Sequence, residues 1–204
     1  MRYISSAIVA VVLSASAHDF GAAQPAQQVQ QLFAQLQDAT TSGEAFVHLK
    51  ALAESSADAR QYLAMNLPGL IAKTSQAPVL RNSIRLAGNL RIAEAVPILV
   101  KLLDQYPGGG PTTITETMRL DTDPVAKALA EIGEPAVGGV RNILENSTNS
   151  QSMRMRAALI LSNMNSKQAD QVLALDLQSE RDPRVKGLIQ SQLREHEKKS
   201  STKQ

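Results

Sequence analysis

The side chains that could do chemistry in this sequence are few and widely spaced. Its 3 histidines are His18, His48 and His196, and it has no cysteine. Glu44 and His48 lie four residues apart, so on a helix they would share one face and form either half of a metal site or an exposed ion pair. A metal centre needs three or four converging ligands. We therefore interpret this pair as an exposed ion pair and expect no metal and no cofactor.

Patterns typical of catalysis are also missing from the sequence. It has no G-x-S-x-G turn that would present a nucleophilic serine, and His48 is the one candidate base in the body of the chain. Glycine-rich phosphate loops link a strand to a helix, and no segment has the sustained alternation of a strand. Asp121 and Asp123 resemble a metal-binding acidic pair, but they precede Pro124, where helix capping and the helix dipole explain them. We expect no catalytic residue and a protein that is not an enzyme.

Composition predicts one helical domain and argues against a nucleic-acid partner. Hydrophobic residues make up 43% of the 204 residues and aromatic residues only 3%, so the core must be built from Leu, Ile, Val, Ala and Met. The 21 basic residues are balanced by 19 acidic ones. Because binding to phosphates needs a concentrated basic field, we expect no nucleic acid among the partners.

The first 17 residues have the parts of a secretory signal peptide. Arg2 precedes an apolar stretch of about ten residues, and Ala15 and Ala17 form the small-x-small pattern that a signal peptidase recognises. We predict cleavage after Ala17, with residues 21–23 as a second possible site. A membrane span needs about 20 apolar residues, so we expect an exported protein, periplasmic or secreted, with no stable membrane anchor after cleavage.

The body of the chain, from residue 29 to residue 193, has the periodicity of consecutive amphipathic helices. Residues 18–28 are rich in Ala and Gln, and we expect them to be flexible. After them, apolar residues recur at helical spacing and predict about ten helices and no sheet. Examples of these stripes are Val29, Leu32, Phe33 and Leu36, then Val125, Ala128, Leu129 and Ile132, then Val172 and Leu175.

Short connections between the stripes predict antiparallel helix pairs. Residues 55–58 can cap a helix start, as can residues 121–124, in which Pro124 takes the first helical position. Residues 133–135 end one helix and begin the next within three residues. Such short connections make neighbouring helices antiparallel. The predicted fold class is all-α, and the predicted architecture is an α-solenoid of helix pairs.

Several of these pairs resemble HEAT repeats, in particular the compact subclass that includes phycobilisome-lyase-like repeats. Residues 121–133 resemble the first helix of such a repeat together with its closing glycine, and residues 95–103 resemble the second helix. The start of the partner helix at 134–137 is similar too, and residues 156–159 and 182–186 repeat the pattern. The resemblance covers residues 42–193 and is strongest between 77 and 146. It implies about four to five repeats.

The spacing of the repeats indicates one insertion. Leu90, Ile132 and Met164 would end successive first helices, and they lie 42 and 32 residues apart. A unit of roughly 30 residues, shorter than the usual HEAT unit, then places an inserted loop at 107–119. Inserted loops of solenoids often bind partners, although a linker without a role explains this one equally well. The candidate contacts in it are Gly108, Gly109, Gly110, Thr112, Thr113 and Ile114.

The resemblance implies a binding surface on the second helices, which line the concave side in that family. Its candidate partner-binding residues are Lys73, Lys101, Gln105, Arg141, Asn142, Asn146 and Gln178. Beyond this surface, residues 194–204 form a basic tail that we expect to be disordered. Attachment of that tail to an acidic surface is the alternative.

We therefore expect an exported, non-catalytic scaffold or adaptor that binds a protein partner. A second interpretation is an enzyme or enzyme accessory similar to the phycobilisome lyases, which would hold a small molecule in the solenoid groove. A third is a self-associating module, because the stripe from Val185 to Leu193 has no following helix to cover it and could form a homodimer through the C-terminal helix. Alternatively, Gln190, Gln192 and Arg194 make that helix a polar cap.

Overall fold

The fold is helical throughout the part of the chain that the structure describes. That structure is a computed structural model, and it describes residues 20–105 and 120–201. Every regular element in these two ranges is an α-helix or a short 3-10 helix, which confirms the all-α prediction for them. The predicted cleavage residues Ala15 and Ala17 and the loop contacts at 108–110 and 112–114 lie outside the described residues.

Ten α-helices follow one another within the described ranges. They are α1 Phe20–Leu36, α2 Ser42–Ser55, α3 Ala57–Lys73, α4 Ala77–Asn89, α5 Val96–Gln105, α6 Pro124–Ile132, α7 Glu134–Glu145, α8 Gln151–Ser162, α9 Lys167–Ser179 and α10 Pro183–Ser201. Two 3-10 helices, Ala93–Ala95 and Leu120–Thr122, precede α5 and α6. Each short connection predicted from the sequence therefore lies between two separate helices.

Side-chain caps begin several of these helices at the predicted positions. The Ser56 hydroxyl accepts a hydrogen bond from the backbone N–H of Ala59 at 3.2 Å and begins α3. A carboxylate oxygen of Asp123 accepts from the N–H of Ala126 at 3.0 Å, one residue before Pro124 opens α6. These bonds satisfy N–H groups that have no partner within the helix. The capping interpretation is confirmed for Asp123, whereas Asp121 forms an ion pair with Lys127 at 2.9 Å.

One continuous apolar core runs through the helices. Most of the predicted stripe residues are buried in it, for example Val29, Phe33 and Leu36 on α1. Helices α4, α6, α8 and α10 pack one on the next, and α3, α5, α7 and α9 do the same in a second series. Each helix therefore contacts the helix two places along the chain, and consecutive helices also pack together at every connection apart from that between α4 and α5, which the 3-10 helix Ala93–Ala95 separates.

Both ends of the helical region extend further than the sequence predicted. Helix α1 begins at Phe20, so residues 20–28 are helical rather than flexible, and α10 continues to Ser201 through most of the tail expected to be disordered. Alanine, glutamine, lysine, arginine and glutamate all favour helices. They prolong helices whose apolar faces are already packed. His196 Nδ1 also lies within hydrogen-bond distance of an Asp170 carboxylate oxygen, at 2.8 Å, and this contact joins α10 to α9.

Helix α9 presents a different face to the core from the one predicted. Leu175 is 59% exposed, whereas Ala169, Val172, Leu173 and Asp176 are buried. The apolar stripe of this helix is short, and its last buried position is occupied by an acidic residue. Periodicity alone could not distinguish this face from one that includes Leu175.

Replacing Gly133 with alanine is expected to destabilise the protein through its backbone alone. Gly133 joins α6 to α7 with φ of 79° and ψ of −134°, a conformation that other residues rarely adopt. The atom nearest to an added methyl group would be the Met164 carbonyl oxygen at 4.0 Å, so there is space for it. We expect a loss of about 1–3 kcal/mol in the free energy of unfolding, measured by urea denaturation.

The control for this substitution is Gly138→Ala in α7, where an added methyl group meets nothing within 4 Å. Alanine lowers the entropy of the unfolded chain, so this variant should gain about 0.5–1 kcal/mol. Equal stability of the two variants would contradict the conformational argument for Gly133.

Candidate functional site

Three helix ends that contain a residue with positive φ line one groove. Each places a buried apolar residue before a residue with positive φ: Leu90 before Arg91, Ile132 before Gly133, and Met164 before Asn165. The φ values are 52°, 79° and 49°, and these three are the residues with positive φ in the described part of the chain. They keep the spacing of 42 and 32 residues predicted for Leu90, Ile132 and Met164.

An open groove with a volume of about 780 Å³ runs across these turns. It is lined by residues from all three turns and by the 3-10 helix before α6. The lining residues are Arg91, Leu120, Asp121, Lys127, Ala130, Glu131, Ile132, Gly133, Glu134, Pro135, Asn163, Met164, Asn165 and Ser166. Because the turns follow α4, α6 and α8, the groove exists only when these three helices pack one on the next.

The surface of the groove is mainly polar because its large apolar lining residues are almost fully buried, and one wall is held by a hydrogen bond between helices. Ile132 and Met164 are 3% and 7% exposed. The Ser166 hydroxyl donates to a carboxylate oxygen of Glu134 at 3.0 Å and accepts from the backbone N–H of Gln168 at 3.2 Å. Ser166 therefore caps α9 and joins its start to the start of α7.

The rim of the groove carries charges of both signs. Lys127 donates to Asp121, which raises the pKa of this lysine, and Glu131 accepts from the side-chain amide of Asn89 at 3.1 Å. The side chain of Arg91 is exposed at one end of the groove. A mainly polar groove with charges of both signs can bind a polar or charged ligand surface.

None of the groove residues has the arrangement of a catalytic group. Its one serine is 6% exposed and occupied by the two hydrogen bonds described above, and no histidine lines the groove. Elsewhere, Glu44 and His48 are both exposed on α2 and form no ion pair with each other. Within residues 20–105 and 120–201, no three acidic or histidine side chains are placed to hold a metal ion.

The predicted partner-binding residues lie on the second series of helices, away from the groove. Their positions are the end of α3 for Lys73, α5 for Lys101 and Gln105, α7 for Arg141 and Asn142, the residue after α7 for Asn146, and α9 for Gln178. Helix α7 has 12 residues and is about 18 Å long. Its start lines the groove and its end carries Asn142, so the two surfaces lie at opposite ends of this helix.

Some of the predicted residues are already engaged within the chain. Arg141 forms an ion pair with Glu145 at 2.7 Å, and the Asn146 side chain accepts from the backbone N–H of Thr148 at 3.0 Å. Lys73, Lys101, Asn142 and Gln178 are exposed. The structure therefore brings the predicted set to α3, α5, α7 and α9, the helices of the second series.

Sequence reasoning missed the groove because its residues have no motif. The one available signal was the turn itself, an apolar residue followed by Arg91, Gly133 or Asn165. That signal marks a helix end and predicts neither a cavity nor its charges.

Two wider comparisons complete the description of the chain. None of the helices in the described ranges is long and apolar enough to cross a membrane. Comparison with known protein families and with curated proteins finds no match for this sequence.

Proposed function

We propose that the chain is an exported, non-catalytic scaffold whose helix pairs stack as a HEAT-like solenoid and bind a protein partner. Four pairs, α2–α3, α4–α5, α6–α7 and α8–α9, followed by α10, fit the predicted four to five repeats. The contacts between every second helix support this arrangement. So does the recurrence of a residue with positive φ after a buried apolar residue at Arg91, Gly133 and Asn165.

The groove across the turns is the observation that carries the binding proposal. It spans three successive pairs, and its surface is mainly polar, with charged and amide side chains. Protein interfaces place charges of opposite sign against each other, and a groove with charges of both signs can do so. The surface around Lys101 and Asn142 is the second candidate for the same function.

Export is proposed from residues 1–17 alone. Their short basic start, apolar stretch and small-x-small ending at Ala15 and Ala17 support delivery to the periplasm or the medium. Intact-mass measurement of the protein from the exported fraction tests this, because cleavage after Ala17 predicts a chain that begins at His18.

A small-molecule role is the alternative that a specific observation favours. The groove volume of about 780 Å³ lies within the range of ligand pockets. A bound molecule in protein purified from its source would support the lyase-like interpretation.

Self-association through α10 stays a prediction: Val185 and Ile189 are buried, whereas Lys186, Gln190 and Arg194 are exposed. Light scattering across a concentration series tests it.

An affinity pull-down from the exported fraction tests the scaffold function and separates the two surfaces. The groove variant combines Arg91→Asn, which suits the left-handed backbone, with Glu131→Gln, which keeps an acceptor for Asn89. We expect it to recover at least about fivefold less partner than the unmodified chain, because interface arginines often contribute more than about 1 kcal/mol.

The matched control combines Lys101→Gln with Asn142→Ala on the second surface. If this variant alone loses the partner, binding lies on the second helices. If the unmodified chain recovers no protein at all, the scaffold proposal fails and the small-molecule alternative takes its place.

A further inference from the structure

Asp176 occupies a position in the core of α9 where an apolar side chain would be expected. It follows Ala169, Val172 and Leu173 at helical spacing on the buried face, and it is 5% exposed. Its carboxylate oxygen Oδ2 has no hydrogen-bond partner. A buried carboxylate without full hydrogen bonding is unstable in its charged form. This helix therefore contains a group whose ionisation opposes its packing.

The charges around Asp176 do not compensate for its burial. Glu180, on the same side of α9, is 7% exposed and holds Arg154 of α8 at 2.7 Å. Arg154 also approaches Asp182 at 3.9 Å, so three carboxylates share this one nearby guanidinium. Glu145, at the end of α7, adds a further negative charge.

Burial raises the pKa of Asp176, and the negative charges of Glu180 and Glu145 raise it further, while Arg154 lowers it. The folded state therefore holds this proton more tightly than the unfolded chain does. The resulting stabilisation is fully present below the ordinary pKa of 3.8. It is lost as the pH rises through the pKa of the folded state.

Other titratable groups lie on the helices that pack against α9. The hydrogen bond between Asp170 and His196 joins α9 to α10 six residues before Asp176. Arg141 pairs with Glu145 on α7 and partly offsets that charge. Arg184, on α10, contacts Gln151 at 3.3 Å.

The packing of α9 on α7 also forms part of the groove. The first residues of both helices are joined by the hydrogen bond from Ser166 to Glu134. Helix α9 has 13 residues and is about 20 Å long. A change in how its far end sits on α7 is therefore transmitted along one rigid element to the groove wall.

We propose that α9 is a pH-responsive helix: protonation of Asp176 tightens its packing on α7, and ionisation loosens it together with the Ser166 wall of the groove. The bistable element is the α7–α9 contact, and the group that biases it is a single buried carboxyl. The proposal goes beyond the scaffold function and does not depend on a partner.

Amide hydrogen exchange, measured on the full chain with and without Asp176→Asn, tests whether α9 responds to pH in this way. Comparing the two chains at the same pH removes the intrinsic effect of pH on exchange. At about pH 8 the amides of α9 should exchange more slowly in the variant, by about tenfold for each pH unit by which folding raises the pKa of Asp176. At about pH 4.5 the difference in α9 exchange rate between the two chains should be smaller. The exchange rate of the α4 amides should be the same in both chains.

Two further variants test whether the charge near Asp176 causes the effect. Glu145→Gln removes one repelling charge and should slow exchange in α9 in the same direction, whereas Glu195→Gln on the exposed face of α10 should not. Equal exchange of α9 in the wild type and Asp176→Asn at pH 8 would overturn the proposal. Slower exchange in α9 without any change at residues 163–168 would refute its extension to the groove.

Discussion

Replacing Arg156 with methionine should lower the free energy of unfolding by about 3–5 kcal/mol. Arg156 is 6% exposed, and its Nε and Nη2 atoms both lie 2.5 Å from a carboxylate oxygen of Asp123, which is 5% exposed. Its Nη1 donates to the Leu103 carbonyl oxygen. Methionine fills much of the volume, but it leaves the buried Asp123 carboxylate without its opposite charge and the Leu103 carbonyl without its side-chain donor. Urea denaturation monitored by circular dichroism measures the loss.

The position of Arg156 makes this loss large. It reaches the end of α5 at Leu103 and the start of α6 at Asp123, on either side of residues 104–122. Asp123 also caps α6. One guanidinium therefore holds two helix ends that are separated in sequence, and a loss of this size is a large fraction of the stability of an ordinary domain.

Two comparisons check the reason for the effect. Arg141→Met removes an exposed ion pair with Glu145 and should cost no more than about 1 kcal/mol. Adding Asp123→Asn to Arg156→Met removes the uncompensated charge and keeps an acceptor for the cap, so the double variant should recover part of the stability. A double variant as unstable as the sum of the single changes would show that the two residues are not coupled.

The second large effect is expected at Gly88, which lies where α4 packs on α6. A methyl group added there would be 2.7 Å from the Cα atom of Ala128 and 2.6 Å from a carboxylate oxygen of Glu131. The glutamate side chain can move, but the Ala128 backbone cannot move unless the two helices separate. We expect Gly88→Ala to lower the thermal midpoint, with a loss of about 1–3 kcal/mol typical of overpacking.

Gly69→Ala on α3 is the matched control for this change. Both glycines lie within helices, but an added methyl group at Gly69 meets nothing within 4 Å. Alanine there should stabilise the protein by about 0.5–1 kcal/mol. If both substitutions stabilise the protein, the close approach of α4 and α6 at Gly88 would be disproved.

The local features of this fold were predictable from the sequence because they depend on neighbouring residues. The apolar spacing at Val29, Phe33 and Leu36 predicted a buried helix face, and Ser56 and Asp123 predicted helix starts. A cap bonds to an N–H only three residues away. Gly133 marked a helix end for the same reason, since only its own backbone angles are involved. The all-α class follows from such local signals.

The ends of the helical region were predicted less well. Residues 20–28 and 194–201 have no apolar stripe, so the sequence indicated chain without a packed face. Helix propensity nevertheless prolongs helices that are anchored elsewhere, and the contact of His196 with Asp170 joins residues 26 positions apart.

The candidate site and the buried charges were decided by the tertiary structure alone. The groove combines Arg91, Glu131 and Asn165 from three helix pairs, and only stacking brings these residues together. Arg156 and Asp176 look like ordinary polar residues in the sequence, yet both are buried by helices distant along the chain. Helical periodicity describes one helix at a time, whereas burial depends on which helices cover it. The sequence by itself therefore determined the helices and their caps, and the packing between helices determined where charge is buried and where the groove forms.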